Sequence, residues 1–185
     1  MSFARCTCRL ASLGVLGLVA CVGLGCSETR RPDGGTGLLP VGTMVPDLTG
    51  VDQNGTEQRL RDALGRPTVV YFYPRDGTPG CTKEACAFRD VWQQYQQAHV
   101  QLLGVSSDDR DSHRDFADHH QLPFPLIADP SQSWAKAFGV ASHLGLYERV
   151  SFLIAPDGKV AKTYPEVDPG VHAAQVLADA KALAP

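Results

Sequence analysis

The sequence has few cysteines where a folded domain is expected. Only Cys81 and Cys86 occur beyond residue 26, although the chain of 185 residues contains six cysteines in all. A small secreted domain held together by disulfides would spread several cysteines through its body, so this class of protein is excluded. One close pair of cysteines indicates redox chemistry or metal binding instead.

A basic stripe is also missing. The 17 basic and 20 acidic residues give a net charge of -3, and the basic residues are scattered. Proteins that bind nucleic acids usually cluster Lys and Arg on one face, so that partner class is not expected. The hydrophobic content of 43% is typical of a globular protein. The length suffices for one domain with an N-terminal extension.

The N-terminal extension has the pattern of an export signal. Arg5 and Arg9 precede an uncharged apolar run over 10–25 of about 16 residues, shorter than the ~20 residues of a membrane span. We therefore expect residues 1–26 to be a signal peptide and the protein to reach the periplasmic side of a bacterial membrane. The Gly- and Pro-rich stretch 27–40 is expected to be a flexible linker, leaving 41–185 as the domain.

Two cysteines at the end of the apolar run are candidates for lipidation. The stretch from Leu18 to Cys21 resembles a bacterial lipobox, in which small residues precede a cysteine that is lipidated after cleavage. Cys26, which is followed by a polar tract, is the other candidate. A lipid-anchored protein modified at Cys21 or Cys26 is expected, with a cleaved signal or a retained anchor as the alternatives.

The rest of the chain alternates strand and helix patterns. An Asn-Gly turn predicts a β-hairpin over 48–60, and the continuous apolar run over 68–73 predicts a buried strand. Apolar residues spaced three and four apart predict one amphipathic helix from Cys81 to Gln97. The element order predicts an α/β sandwich with a central mixed sheet. The other predicted strands are 100–106, 126–128, 150–154 and 159–163, and the other helices are 108–120, 131–138 and 170–183.

Cys81 falls in the first turn of the predicted helix. Free backbone N–H groups and the positive end of the helix dipole stabilise a thiolate there, and the thiolate is the nucleophilic form of cysteine. The preceding Pro79 has no N–H, and Gly80 permits close approach of a ligand to the main chain. This pattern favours a reactive cysteine over an inert buried one.

Cys86 lies five residues further along the same helix. A rotation of ~100° and a rise of ~1.5 Å per residue place the two Cα atoms roughly 8 to 9 Å apart. A disulfide tolerates ~4.4–6.8 Å, so the pair cannot bond while the helix is intact. If the two cysteines do bond, the first turns of the helix must unwind.

The motif around Cys81 resembles a known family. Pro74-x-x-x-Thr78-x-x-Cys81 after an apolar strand, followed by the run Cys-Thr-Lys-Glu-Ala-Cys, resembles the peroxiredoxin signature of the PrxQ branch, also called bacterioferritin comigratory protein. Further similarity covers roughly residues 41–184, including the segments 104–108, 123–129 and 149–154. The resemblance implies a thioredoxin-like fold.

The resemblance also implies roles for five residues. Cys81 would attack a peroxide and become a sulfenic acid, and Cys86 would resolve it as a disulfide. Thr78 would hydrogen-bond the thiolate and the peroxide, and Pro74 would shield the site from water. Arg149 would hold its guanidinium against the sulfur and the peroxide.

The implied enzyme is a thiol peroxidase for hydrogen peroxide and organic hydroperoxides that needs no metal or other cofactor. A thioredoxin-like protein would reduce its disulfide, and the implied oligomeric state is a monomer or a weak dimer. An alternative is an exported thioredoxin-fold copper-binding or thiol-disulfide protein. A thiol-disulfide protein favours Cys-x-x-Cys, and the related copper proteins use Cys-x3-Cys with a distant histidine, for which His143 is the nearest match.

Overall fold

The computed structural model describes residues 29–183. Its strands are β1 Thr49–Asp52, β2 Glu57–Arg59, β3 Thr68–Phe72, β4 Gln101–Ser106, β5 Leu126–Ala128, β6 Ser142–His143, β7 Leu146–Tyr147, β8 Val150–Ile154 and β9 Val160–Tyr164. A seven-stranded mixed sheet forms the centre, in the order β2-β1-β5-β4-β3-β8-β9, and a two-stranded ribbon β6-β7 lies outside it. The helices are α1 Pro79–Asp90, α2 Trp92–Gln97, α3 Arg110–His120, α4 Ser133–Phe138 and α5 His172–Lys181, with a 3-10 turn over Leu60–Ala63.

The centre of the sheet, at strand β3, is buried on both faces. This strand pairs in parallel with β4 and antiparallel with β8, and all five of its residues are buried. Because side chains alternate along a strand, Val69 and Tyr71 pack under α1, α2, α3 and α5. Val70 and Phe72 enter the second core, which α4 covers. The predicted mixed α/β sandwich with an N-terminal hairpin is therefore confirmed.

The helix predicted over 81–97 differs from the structure. It is interrupted at Val91, whose backbone is not helical (φ -107°, ψ 9°), and α2 begins at the next residue. After the interruption Tyr95 is completely buried, and its hydroxyl donates a hydrogen bond of 2.9 Å to the carbonyl of Ala173 in α5. Periodicity alone does not reveal this change of direction, because it is set by the packing of α2 against α5.

Part of the stretch expected to be a linker is folded against the domain. The buried guanidinium of Arg31 donates to the carbonyls of Thr36, Gly37 and Leu38 at 2.7 to 3.2 Å. Leu39 is buried in the core beside α4. Residues 30–39 therefore form a closed turn rather than the expected tether, since the arginine satisfies the carbonyls that a Gly-rich chain would otherwise expose to water.

The predictions for the first residues lie largely outside the described part of the chain. The signal peptide over 1–26 and the lipidation candidates Cys21 and Cys26 all precede residue 29. Within residues 29–183, none of the helices combines the length and the apolar character that crossing a membrane requires.

Candidate active site

Cys81 is the third residue of α1 and lies at the carboxyl end of the central strand. The helix begins at Pro79, after Thr78 in extended conformation (φ -71°, ψ 146°). The first helical bond runs from the N–H of Thr82 to the carbonyl of Thr78 at 2.8 Å. The N–H groups of Gly80 and Cys81 precede that bond, so they belong to the free donors of the helix start. The thiol is nearly covered, with 2% of the residue exposed.

Arg149 connects the thiol to a buried carboxylate. It immediately precedes β8, and its Nη2 lies 3.3 Å from the Sγ of Cys81. Its Nη1 donates a hydrogen bond to the Oε2 of Glu84, one helical turn after the cysteine. A Cβ added to Gly80 would lie 3.1 Å from Nη2, so a side chain there would displace the guanidinium. We call Cys81, Glu84 and Arg149, together with Tyr71, on whose hydroxyl the charges of these three groups act, the guanidinium cluster.

The guanidinium cluster contains two polar atoms without hydrogen-bond partners among the described residues. These are the Oε1 of Glu84 and the hydroxyl of Tyr71, and both side chains are buried. Burial raises the pKa of Glu84 from 4.5 to about 7, although the charge of Arg149 opposes this rise. Burial also raises the pKa of Tyr71 well above its usual value, so the hydroxyl stays protonated. The cluster therefore presents a cation and a titratable carboxyl beside the sulfur, whereas the hydroxyl of Tyr71 lies against Gly104 on β4.

His172 supports the cluster from α5 as a neutral side chain. Its Nε2 lies 2.8 Å from the hydroxyl of Ser151 on β8. Burial lowers the pKa of this histidine from 6.5 to about 4, and the positive charge of Arg149 contributes to the same shift. A neutral ring at this place adds no second positive charge beside the guanidinium.

Cys86 lies in the same uninterrupted helix as Cys81. Both cysteines are free thiols, Cys81 buried and Cys86 half-buried. Arg89, one turn after Cys86, donates to the carbonyl of His120 at the end of α3 with a distance of 2.8 Å. The pKa of Arg89 is raised, first by its hydrogen bond to Asp90 and then by the neighbouring Cys86 sulfur. Because both cysteines lie in α1, the helical turns between residues 81 and 86 keep the two thiols apart.

Two predicted site residues lie in the loop 74–78, which we call the active-site loop. Pro74 opens this loop and is half-buried. Thr78 closes the loop, and its hydroxyl donates to the carbonyl of Arg75 at 3.1 Å. The hydrogen bond predicted between Thr78 and the Cys81 sulfur is therefore not present in this structure. The reason is that the Thr78 hydroxyl donates within the turn of the loop, to the carbonyl of Arg75, instead.

A second buried polar cluster lies on the other side of the active-site loop. The carboxylate of Asp76 accepts hydrogen bonds from Tyr73, Ser112 and His113 at 2.7 to 2.8 Å. We call these four residues the loop anchor. No sequence motif predicted the loop anchor, because Ser112 and His113 belong to no recognisable pattern on α3 and Asp76 resembles an ordinary turn residue.

An open groove runs between the active-site loop and α3. It has a volume of about 880 Å³ and lies beside the start of α1. Its walls carry both apolar and polar residues from the loop, from the first turn of α1 and from α3. They include Gly77, Pro79, Thr82, Asp115, Phe116 and His119.

The copper-binding alternative is not supported by the geometry. The side chain of His143 is 80% exposed, and its Nε2 lies 3.7 Å from a carboxylate oxygen of Glu148. Within residues 29–183, the group of side chains with metal-ligating atoms close together is Asp76, Asp108 and His113, which includes no cysteine. The hydrogen bonds of the loop anchor and of Ser106 already occupy that group.

Comparison with known proteins agrees with this arrangement. The sequence profile of the AhpC/TSA family matches residues 41–163. The chain belongs to the AhpC/TSA family. The resemblance to peroxiredoxins of the PrxQ and BCP branch is confirmed by relatives and by solved structures.

Two relatives of this peroxiredoxin illustrate the similarity. The bcp peroxiredoxin of Coxiella burnetii is 37% identical over 146 residues, which is 75% of this chain and 97% of that protein. Chloroplastic peroxiredoxin Q of Triticum aestivum is 38% identical over 155 residues, which is 80% of this chain and 71% of that protein.

Two solved structures share the fold of this peroxiredoxin. Peroxidoxin BcpB from Mycobacterium tuberculosis superimposes with a TM-score of 0.73 at 36% identity and covers 78% of this chain and 98% of its own. Peroxiredoxin Q of Xanthomonas campestris superimposes with a TM-score of 0.73 at 35% identity and covers 78% of this chain and 99% of its own. The thioredoxin-like fold is thereby confirmed.

Proposed function

We propose that this thiol peroxidase works through Cys81 as the attacking sulfur and Cys86 as the resolving sulfur. The observation that carries the proposal is the guanidinium of Arg149, which contacts the Cys81 sulfur and the buried Glu84 at the same time. A permanent cation held in place in this way stabilises both the thiolate and the negative charge that develops when an O–O bond breaks.

In the first step the Cys81 thiolate attacks the terminal oxygen of a hydroperoxide. A new S–O bond forms as the O–O bond breaks, and the leaving oxygen takes a proton to become water or an alcohol. Cys81 becomes a sulfenic acid, so sulfur is oxidised by two electrons and the peroxide is reduced by two. Glu84 is a positioning residue in this step because its carboxyl fixes Arg149, which contacts the sulfur.

In the second step the Cys86 thiol condenses with the sulfenic acid. An S–S bond forms and water leaves, with the thiol supplying the proton. The two thiols belong to one continuous helix from Pro79 to Asp90, so this step requires its first turns to unwind. An external dithiol then reduces the disulfide by exchange and restores both thiols. We infer a thioredoxin-like protein as that dithiol, which is typical of the family.

Hydrogen peroxide and organic hydroperoxides are the substrate classes that we infer. A solved structure of the bacterioferritin comigratory protein of Xanthomonas campestris, 34% identical with a TM-score of 0.73, is described in terms of alkyl peroxide reduction. In this chain the groove beside Pro79 and Thr82 offers space for an organic substituent next to the start of α1.

Replacement of each cysteine tests the roles. Cys81→Ser should abolish peroxide consumption, whereas Cys86→Ser should complete one turnover and then carry a stable sulfenic acid on Cys81. Rapid-quench mass spectrometry with a sulfenic-acid trap locates the oxidised residue by peptide mapping. If Cys86→Ser were as inert as Cys81→Ser in a single turnover, the assignment of the two sulfurs would be wrong.

We further infer that the protein is exported and anchored by a lipid at Cys21 or Cys26. The support is the basic and apolar pattern of residues 1–26 and the lipobox-like stretch before Cys21. Mass spectrometry of the mature N-terminus tests the inference. A diacylated cysteine at either position supports it, and an unmodified N-terminus beyond residue 26 contradicts it.

A further inference from the structure

The active-site loop is fastened by a buried carboxylate that has no part in the peroxidase cycle described above. The Oδ1 of Asp76 accepts from the hydroxyl of Tyr73 at 2.8 Å. Its Oδ2 accepts from the hydroxyl of Ser112 at 2.7 Å and faces the Nδ1 of His113 at 2.8 Å. The backbone N–H of Asp76 donates to Asp108 at 2.9 Å, so both the side chain and the main chain are held.

The ring of His113 connects α3 to the active-site loop and to β5. Its side chain is completely buried, with Nε2 3.2 Å from the carbonyl oxygen of Ile127 and Nδ1 2.8 Å from the Asp76 carboxylate. The hydroxyl of Tyr73 lies 3.4 Å from the same Nδ1. A carboxylate oxygen accepts hydrogen bonds, so a ring with its proton on Nδ1 makes a buried histidine–carboxylate hydrogen bond.

A buried hydrogen bond adds only modest net stability, but a buried polar group that loses its partner carries the full penalty of desolvation. Here the two partners belong to different parts of the fold: Asp76 to the active-site loop, and His113 to α3. Separating the loop from α3 would leave both groups without each other. The pair therefore favours one position of the loop.

The position of the active-site loop determines where the first turn of α1 starts. The active-site loop leads directly into Pro79, and Cys81 follows two residues later. Arg149 contacts the thiol from β8 and makes none of the hydrogen bonds of the loop anchor. The side chains of α3 that hold the loop are therefore Ser112 and His113 of the loop anchor.

We propose that Asp76 and His113 are positioning residues of the peroxidase. They hold the active-site loop on α3 and so keep the start of α1 folded, with Cys81 against Arg149, during the attack on the peroxide. The inference rests on the proposed function, because the two steps of the proposed cycle place opposite requirements on the start of α1. Attack needs a folded first turn, and disulfide formation needs that turn unwound.

The experiment measures the two steps separately in the full chain. Rapid-quench mass spectrometry with hydrogen peroxide follows the sulfenic acid on Cys81 and then the Cys81–Cys86 disulfide. Asp76→Asn and His113→Asn are each expected to slow Cys81 oxidation about tenfold, as expected for a small misplacement of the reacting group. Disulfide formation is expected to be unchanged or faster. The double variant should also lose about tenfold rather than a hundredfold, because the two residues act as one unit.

Matched controls make the same chemical changes elsewhere. Asp118→Asn, at an exposed position on α3, and His99→Asn, in an exposed turn with positive φ that Asn tolerates, should leave both steps unchanged. Ser112→Ala removes one hydrogen bond to Asp76 and keeps the hydrogen bond between Asp76 and His113, so it should slow oxidation about two- to threefold. If the Asp76 and His113 variants do not fold, Ser112→Ala carries the test alone.

Three results would overturn the inference. These are an unchanged oxidation rate in all folded variants, an equal slowing of both steps, and multiplicative losses in the double variant. Equal slowing would mean that the pair only stabilises the fold as a whole. Failure of the wild-type chain to form a sulfenic acid on Cys81 would be different, because it would contradict the proposed function itself.

Discussion

The two polar clusters on either side of Cys81 differ in how fully their hydrogen bonds are satisfied. In the loop anchor, the side chains of Tyr73, Asp76, Ser112 and His113 all have partners at 2.7 to 2.8 Å. In the guanidinium cluster, Arg149 contacts both Glu84 and Cys81, but one oxygen of Glu84 and the hydroxyl of Tyr71 have no partner among the described residues.

This difference separates two kinds of buried polar group. A fully satisfied network fixes one conformation, whereas a buried polar atom without a partner carries a free-energy penalty that requires an explanation. The unsatisfied Oε1 belongs to Glu84, whose other carboxylate oxygen accepts a hydrogen bond from the guanidinium beside the reactive sulfur. The satisfied atoms lie under the active-site loop, and their hydrogen bonds hold the loop in place.

The largest effect is expected when the guanidinium is removed. Arg149→Met deletes the contacts to Cys81 and Glu84 together, and the rate constant for Cys81 oxidation should fall about 10²- to 10³-fold, as for other lost electrostatic donors. Arg149→Lys should retain part of the rate, because an ammonium reaches one partner at a time. Stopped-flow measurement of peroxide consumption checks both variants. Arg110→Met, at an exposed site on α3, is the control, and a loss below tenfold in Arg149→Met would contradict the role.

A matched pair of variants tests what a buried hydroxyl contributes to stability with and without a hydrogen-bond partner. Tyr71 lies in β3, and Tyr73 directly follows that strand. Tyr73→Phe leaves the Asp76 carboxylate short of a donor and should lower the free energy of unfolding by about 1–3 kcal/mol. Tyr71→Phe removes a hydroxyl without a partner and should leave stability unchanged or raised. Urea unfolding measures both. Equal destabilisation by the two variants would remove the distinction between the clusters.

The pH dependence of stability should separate Glu84 from His172. Between pH 4.5 and 7 the folded protein keeps a proton on Glu84 that the unfolded chain releases, so this group lowers stability as pH rises. Between pH 4 and 6.5 the unfolded chain binds a proton on His172 that the folded protein does not, so this group raises stability as pH rises. The two contributions oppose each other in the wild type.

Each variant should expose the contribution of the remaining group. Relative to the wild type, Glu84→Gln should gain stability with rising pH between 4.5 and 6.5, and His172→Gln should lose it. The difference in slope is at most about 1.4 kcal/mol per pH unit for one proton. Urea unfolding at three pH values in this range provides the measurement. Parallel curves for all three proteins would show that neither pKa is shifted.

Of the changes at the guanidinium cluster, the smallest effect is expected from Gly80→Ala. The new Cβ would lie 3.1 Å from the Nη2 of Arg149, so the guanidinium must move by a few tenths of an ångström. Cys81 oxidation should slow by about three- to tenfold. Thermal unfolding should be unchanged or occur at a higher temperature, because Ala is the better helix residue. Unaltered oxidation kinetics would mean that the contact between Arg149 and Cys81 is loose.

Local sequence patterns predicted most of the elements for identifiable reasons. The strand β3 is a continuous apolar and β-branched run, and the apolar spacing after Cys81 has the helical period. The ribbon β6-β7 was not predicted because its strands have two residues each. The interruption at Val91 and the closed turn at Arg31 were not predicted because both depend on partners that are distant or carry no motif.

The sequence by itself determined the family, the α/β order and the place of Cys81 at the start of a helix, because each of these depends on residues close together in the chain. The tertiary structure decided which side chains surround the sulfur. Arg149 reaches Cys81 across 68 positions only because β8 pairs with β3, and His113 reaches Asp76 only because α3 packs beside the active-site loop. Burial in turn shifted the pKa of Glu84 and of His172, and burial is a property of the folded chain.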